Sequence, residues 1–404
     1  MKQRLNFAIT HLWRSLALGA AAMVLIAVLL LARLAKEPNY FTAGEVAARH
    51  ISHSLSAILH NPINAPFSLL QHFLVNLAPQ SLFVSRLPAA LFGGLTLLIM
   101  YAILRFWQGR LVATMGTLLL ATSSWFLHIA ERGTPGVLLF GIVALIGCAL
   151  LFKHSLRRSP IYLLGAVVAA SLLYVPGLIW LIGLGLIWQA KSLARNLKHV
   201  KRQFIMVGVI IFLILIAPLV WACANQPDLI LQVFGLPSNL PAAGTAVHNL
   251  VNIPLELFIR MPASNPLTWV GHLPVLDIFT DAMFALGAYL IWKQRELDRS
   301  KLVAASTLGA TILIILGGAV TITALLPLVY LVVAGGIGYM AERWLRVFPN
   351  NPLARMAGLS LLILAVIISL NFQVNRYFIA LPRTLNQKPI IKQQQPQVSA
   401  TIKQ

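Results

Sequence analysis

The dominant pattern in this chain is a series of long apolar runs separated by short basic segments or by longer polar ones. Runs of about 17–22 residues match the ~20 residues that an α-helix needs to cross ~30 Å of hydrocarbon. The first run is longer than the ~7–15-residue core of a cleavable signal peptide, so we interpret it as a retained span. Eleven spans are predicted, each to within a few residues: 15–34, 86–106, 112–129, 136–153, 160–174, 176–190, 204–223, 275–292, 302–319, 322–340 and 355–372.

Composition supports this all-α, polytopic membrane interpretation. Hydrophobic residues make up 59% of the 404 residues and charged residues only 10%, with a mean hydropathy of +0.82. Soluble domains average about 25% charged residues. Residues 1–382 are therefore predicted to form one polytopic membrane domain. The segment 383–404, rich in Gln, Lys and Pro, is predicted to be a disordered tail.

The net charge of +21 is explained by membrane topology better than by a nucleic-acid partner. With the N-terminus in the cytoplasm, the inner segments hold 20 of the 31 basic residues but only three of the 10 acidic residues. This distribution follows the positive-inside rule and predicts a multi-pass protein of the plasma (inner) membrane. Two long loops, 35–85 and 224–274, then lie on the outer face, where we expect the function to reside.

The first outer loop contains an amphipathic pattern over 43–60 that is typical of a helix lying on the membrane surface. An apolar face is formed by Ile51, Leu55, Ile58 and Leu59, and the opposite stripe by Glu45, Arg49, His53, Ser56 and His60. The apolar segment 64–78 is too short to span and predicts a second interfacial helix. The polar stripe has two interpretations. Its carboxylate, Arg and His residues could accept a proton and bind a phosphate or sugar, or they could simply face solvent.

Glu45 has a competing structural interpretation because Thr42 and Glu45 stand three residues apart, the spacing of a capping box at a helix N-terminus. The sequence leaves both roles open. No His, Cys, Asp or Glu spacing indicates a metal site, and no cofactor is expected. Transport is the less favoured class, because transporters carry ionisable residues at bilayer depth and these spans contain few.

Several motifs resemble the core of the GT-C membrane glycosyltransferases, especially the protein O-mannosyltransferase-like and aminoarabinose-transferase-like branches. The segment 85–140 carries an Arg-x-Pro at the start of a span (Arg86, Pro88), the pair Gly93–Gly94, a Gly-Arg turn at 109–110, and Arg132 just past the next outer end. Further matching segments are 269–292, 327–344 and 348–372. The resemblance covers most of the chain.

This resemblance implies an enzyme that transfers a sugar from a polyprenyl-phosphate carrier to a lipid, glycan or protein acceptor at the outer membrane face. A carboxylate would deprotonate the acceptor hydroxyl, and Arg residues would hold the departing lipid phosphate. The candidate bases are Glu45 and Glu131; the candidate phosphate ligands are Arg86, Arg132 and Arg49; and His53, His272 and Asp277 are candidates for lining the cleft. The oligomeric state is not predicted.

The sequence also departs from the family pattern at its acids. Gly44–Glu45 stands where the family has an Asp-Glu pair, and no acid follows Arg132 within the next five residues. An alternative interpretation is therefore a catalytically inactive GT-C homologue that acts as a lipid-binding or partner-binding subunit.

Overall fold

The computed structural model describes residues 24–35, 40–155, 159–197, 200–260 and 272–383. Within these ranges the chain is helical and contains no strand. The tail 384–404 and most of the predicted span 15–34 lie outside the described residues. The α-helices are α1 (24–31), α2 Ala43–Ser52, α3 Leu55–His60, α4 Ala65–Leu77, α5 Leu82–Gln108, α6 Arg110–Thr122, α7 Ser124–Ala130, α8 Ile142–Ser155, α9 Ser159–Leu172, α10 Leu178–Leu197, α11 Arg202–Asn225, α12 Asp228–Val233, α13 Ala243–Pro254, α14 Ile278–Lys293, α15 Asp298–Ile315, α16 Leu326–Val347 and α17 Pro352–Asn375.

Four described helices are long and apolar enough to cross a membrane unaided: Leu82–Gln108, Arg202–Asn225, Ile322–Val347 and Pro352–Arg383. A fifth span results if α6 and α7, which meet at a bend of 65°, are counted as one. Three shorter apolar helices lie at Pro135–Leu151, Ile161–Leu172 and Leu178–Ile187. The polytopic, all-α prediction is therefore confirmed, although several predicted spans are shorter than a full crossing.

Breaks between helices occur where the sequence supplies a reason for them. The predicted break at Pro176–Gly177 falls between α9 and α10, and Gly177 adopts φ +77°, a left-handed conformation that favours glycine. The amphipathic segment 43–60 is not one helix but two. Ser54 ends the first by taking extended backbone angles and caps α3 by accepting a hydrogen bond from the Ala57 N–H (3.1 Å).

The long segment 35–85, predicted as the first outer loop, packs on the membrane domain through α3 and α4. Ile58, on the predicted apolar face, is buried with Ala65, Leu173 and Tyr174, whereas Leu55 and Leu59 on the same face remain exposed. The second long loop contains α12 and α13 and returns to the core through hydrogen bonds from Val275 N–H to Glu256 O (3.0 Å) and from Leu276 N–H to Leu257 O (3.1 Å).

The core centres on α16, which packs against α14 and α6. Helices α14 and α16 cross so closely that a Cβ at Gly287 or Gly336 would lie well inside van der Waals contact with the carbonyl oxygen of Val332 or Met283, respectively. Small residues allow such close backbone approach between membrane helices. This crossing fixes the first turns of both helices beside the end of α17, which builds one wall of the site described next.

Candidate functional site

The two polar segments that follow α1 and α7 converge on Glu45, at the start of α2. Its Oε1 accepts hydrogen bonds from Arg86 Nε (2.7 Å) and from the Gly133 N–H (3.1 Å). Its Oε2 accepts from the Thr42 N–H (2.8 Å), from Thr42 Oγ1 (3.0 Å) and from Arg86 Nη2 (3.2 Å). The side chain is fully buried. Glu45 therefore closes the capping box that its spacing from Thr42 predicts, and it also ties together three distant parts of the chain.

Arg86 is the buried partner of Glu45 in the first turn of α5. Its remaining donors reach the carbonyl oxygens of Leu34 and Tyr40, both at 3.0 Å. Burial alone would raise the pKa of the Glu45 carboxyl, but hydrogen bonds and charge from Arg86, with the N–H groups of Thr42 and Gly133, hold it below its usual value. Glu45 is thus ionised at neutral pH, with each oxygen already accepting at least two hydrogen bonds.

Glu131 directly follows α7 and has a different environment. It is 5% exposed, and its Oε2 accepts a hydrogen bond from the Tyr377 hydroxyl (2.8 Å), while Oε1 has no hydrogen-bond partner among the described residues. Burial raises the pKa of Glu131 to about 8, although Tyr377 and the charges of Arg33, Arg86 and Arg132 act in the opposite direction. A buried carboxyl that titrates near neutral pH is suited to proton transfer.

Arg132 carries its charge beside these acids without a direct partner. No hydrogen bond or ion pair joins its guanidinium to any other residue that the structure describes. Burial lowers the pKa of Arg132, with the charge of Glu45 as the leading opposing effect. A partly desolvated guanidinium with free donors is a binding group for an anion, and its planar fork suits phosphate.

The other predicted site residues are placed less favourably. Arg49 donates to Pro79 O (2.5 Å) and lies over the Phe41 ring, 4.4 Å from its centroid. His53 and His272 are exposed, and His272 has φ 55°. Asp277 caps α14 by accepting hydrogen bonds from the backbone N–H groups of Phe279 (3.0 Å) and Thr280 (3.1 Å). The structure therefore brings together Glu45, Arg86, Glu131 and Arg132.

A polar cluster lies between α7, α14, α16 and α17, and of its members only Asp277 was a candidate from the sequence. Gln373 accepts from the Ser124 N–H (3.3 Å) and donates toward Asp277 Oδ2 (3.4 Å), which also accepts from Ser369 Oγ (2.7 Å). Arg376 donates to the carbonyl oxygens of Pro274 (2.6 Å) and Leu273 (2.8 Å). Ser124 Oγ, Asp281 Oδ1 and Arg376 Nε are buried here without a hydrogen-bond partner among the described residues.

Two sequence signals could have indicated this cluster: the Ser123–Ser124 pair inside an apolar run, and Arg376 next to Tyr377 just beyond the last predicted span. Tyr377 links the cluster to the site, because it follows Arg376 and its hydroxyl reaches Glu131. Arg33 supports this position by donating from Nη1 to Tyr377 O (2.6 Å), with its guanidinium 5.0 Å from the ring centroid.

An apolar cavity of about 640 Å³ lies between α5, α8 and α9. The residues that line it are almost all hydrophobic and include Phe92, Ile99, Phe106, Val137, Ala144 and Val168. Val137 belongs to the 3-10 turn Pro135–Gly141, which begins three residues after Arg132. The cavity is suited to hydrocarbon rather than to a polar ligand.

Among the described residues, no group of three or more His, Cys, Asp or Glu side chains is placed to hold a metal ion. The residues that the structure brings together are instead two carboxyls and two guanidinium groups, which can transfer a proton and bind an anion. They lie at the point where the segments that follow α1 and α7 meet.

Comparison with known proteins assigns the fold. No protein-family model matches the chain, and no curated protein sequence matches it. The crystal structure of ArnT from Cupriavidus metallidurans in the apo state superposes with a TM-score of 0.57 at 14% identity, covering 92% of this chain and 76% of that one. The structure of the same ArnT bound to undecaprenyl phosphate gives a TM-score of 0.55 at 13% identity, covering 91% and 76%. The chain therefore shares the polytopic, all-α membrane fold of these ArnT structures, as its hydropathy pattern predicted.

Proposed function

We propose that this protein is a GT-C-type membrane glycosyltransferase that uses a polyprenyl-phosphate-linked sugar. The acceptor is a hydroxyl group of a lipid, glycan or protein at the outer membrane face. The observation that carries this proposal is the position of Arg132. It is a partly desolvated guanidinium without a direct partner among the described residues, next to a buried carboxyl with one free oxygen. The fold similarity to an ArnT structure bound to undecaprenyl phosphate supports this class of donor.

Arg132 is the residue we assign to the donor phosphate. Arg86 and Arg49 were candidates for the same task, but their guanidinium groups hydrogen-bond to Glu45 and to backbone carbonyls. An anion that binds Arg132 replaces solvation lost by burial, and the low local dielectric strengthens the interaction. The apolar cavity between α5, α8 and α9 then provides a surface for part of the polyprenyl chain.

Glu131 is the group we assign to proton transfer. The acceptor hydroxyl oxygen attacks the anomeric carbon of the donor sugar, and the bond from that carbon to the phosphate oxygen breaks. The phosphate leaves with the bonding electron pair, and Arg132 stabilises its negative charge. The hydroxyl proton goes to Glu131, whose Oε1 is free to accept it while Oε2 is held by Tyr377. Glu45 holds the two outer segments in place rather than accepting the proton.

Donor consumption in proteoliposomes tests these assignments. We expect Glu131→Gln to lower turnover by at least about 100-fold, the usual contribution of a general base. Arg132→Gln should weaken donor binding and turnover together. Asp228→Asn is the matched control, because Asp228 is an exposed acid of the second long loop and should leave both unchanged. Wild-type turnover in Glu131→Gln would refute the proton-transfer assignment.

The pH dependence gives an independent readout. Because Glu131 must lose its proton before it can act as a base, and its pKa is raised to about 8, kcat/KM should rise from pH 6, reach half of its maximum near pH 8 and level off above about pH 9. This rise should disappear in Glu131→Gln. A profile that stays flat over this range in the wild type would contradict the assignment.

The occupancy of Glu45 favours a second candidate, a non-catalytic lipid-binding subunit. Glu45 matches the second acid of the family's Asp-Glu pair, and five hydrogen bonds occupy both of its oxygens. In this case the wild type would bind the donor lipid through Arg132 without consuming it. Measurement of binding and turnover on one preparation separates the two functions.

A further inference from the structure

The C-terminal ends of α14 and α16 present exposed aromatic and basic side chains on adjacent turns. Tyr289 of α14 lies 6.2 Å from Tyr339 of α16 and 6.4 Å from Trp292, measured between ring centroids. Trp292 is 69% exposed and Tyr289 is 44% exposed. These helices begin beside the candidate site and run parallel through their glycine crossing, so this patch lies at the opposite end of the membrane domain.

Three cations surround this aromatic platform. Lys293 Nζ lies 5.8 Å from the Tyr289 ring centroid, and the Arg343 guanidinium lies 5.6 Å from that of Tyr339. Arg343 Nε also donates to the Tyr339 hydroxyl (3.1 Å). Arg346 lies three residues after Arg343, on the next turn of the same helix. Side chains from two helices therefore bring positive charge to the same pair of tyrosine rings. Cations that followed only the general enrichment at a membrane face would be dispersed over that face.

Glu342 is an acidic side chain beside these three cations, and it pairs with Arg346 one helical turn away. Both side chains of that pair are more than half exposed, so the pair is weak and readily exchanged for another anion. Lys293 and Arg343 form no ion pair with another described residue. The patch thus keeps a net positive charge beside exposed aromatic rings.

We propose that the ends of α14 and α16 form a binding site for the phosphate headgroup of an anionic phospholipid. Cations between membrane helices at the cytoplasmic side attract anionic headgroups, and Tyr and Trp rings favour the headgroup level of the bilayer. Arg343 and Lys293 contact the phosphate, Arg346 releases Glu342 to join them, and Tyr289 and Trp292 pack against the glycerol and the first acyl carbons. This site is separate from the proposed transferase chemistry.

Lipid binding to the full chain in detergent, measured by native mass spectrometry with added phosphatidylglycerol or phosphatidylcholine, tests the site. The test variant is Lys293→Gln/Arg343→Gln/Arg346→Gln. The control, Arg105→Gln/Arg110→Gln/Arg295→Gln, removes the same charge from exposed positions on the same predicted side. We expect the test variant to bind phosphatidylglycerol at least about tenfold more weakly than the wild type. The control should retain binding, and phosphatidylcholine should bind weakly to all three proteins.

Two further measurements make the outcome decisive. Millimolar inorganic phosphate should not displace phosphatidylglycerol, because the proposed site also holds the lipid glycerol and acyl carbons; displacement would show a simple phosphate site instead. The single variant Arg343→Gln should lose several-fold in affinity, and it provides the test if the triple variant does not elute as a folded monodisperse protein. Equal loss in the test and control variants, or no loss in either, would overturn the proposal.

Discussion

At the scale of single residues, Glu45 and Glu131 differ in environment because their partners differ. Glu45 accepts five hydrogen bonds and pairs with the fully buried Arg86, whereas Glu131 accepts one and keeps an oxygen free. Removing one member of a buried ion pair leaves the other charge without compensation. These partners favour a structural role for Glu45 and leave Glu131 available for the proposed proton transfer.

Glu45→Gln is expected to lower the free energy of unfolding by about 3–5 kcal/mol, because it leaves the Arg86 charge buried without its counter-ion. Thermal unfolding of the purified protein in detergent measures this change. The matched control is Glu342→Gln, which breaks an exposed i, i+4 ion pair and should alter stability by less than about 1 kcal/mol. Equal, small effects in the two variants would show that the Glu45–Arg86 pair does not hold the outer segments together.

At the scale of helices, the site depends on two local features of backbone geometry. The 65° bend between α6 and α7 at Ser123 turns α7 aside and sets the position of Glu131 and Arg132. The close crossing of α14 and α16 at Gly287 and Gly336 sets the first turns of both helices beside α17 and thereby beside Tyr377. Neither feature alters the hydropathy pattern of the sequence, so a search for apolar runs does not detect it.

Gly336→Ala is expected to separate α14 from α16, because the new Cβ would meet the Met283 carbonyl oxygen, which belongs to backbone and cannot rotate away. A loss of about 1–3 kcal/mol is typical of such overpacking. Gly335→Ala tests whether the position rather than the residue type matters, since its Cβ would have no neighbour within 4 Å. That neighbouring variant should unfold at the wild-type temperature or slightly above it. Similar behaviour of both variants would contradict the importance of the crossing.

At the scale of the whole molecule, charge predicts the orientation of the domain in the membrane. The cationic ends of α14 and α16 lie on one side, and the site residues Glu45, Glu131 and Arg132 lie on the other. From the basic excess we predict that the first side faces the cytoplasm.

Single-cysteine labelling measures this orientation. In a background carrying Cys148→Ala and Cys223→Ala, His272→Cys should react with an impermeant maleimide in intact cells. Arg295→Cys should react only after permeabilisation, because it lies between α14 and α15 on the basic side. The background without added cysteine controls for other reactive groups. The reverse labelling pattern would place the candidate site inside the cell.

The sequence predicted local features well and the pairing of distant groups poorly. The capping box at Thr42 and Glu45, the break at Pro176–Gly177 and the polytopic, all-α fold all follow from residues close together or from long apolar runs. The bend at Ser123 was missed, and 112–129 was predicted as one continuous span, because an apolar run does not record the direction of its backbone. The division of 43–60 at Ser54 was missed because periodicity continues across a short break.

What the sequence determined by itself is the class of molecule: a helical membrane domain whose long apolar runs must be removed from water and whose cations favour one side. What only the tertiary structure decided is how the charged groups are used. Arg86 lies 41 residues from Glu45 and Gly133 lies 88 residues from it, and both reach its carboxylate only after folding. The same three-dimensional pairing that saturates Glu45 leaves Arg132 without a direct partner in the described structure. The spacing of residues along the chain cannot reveal this, because hydrogen-bond donors and acceptors pair with the groups that are their neighbours in space.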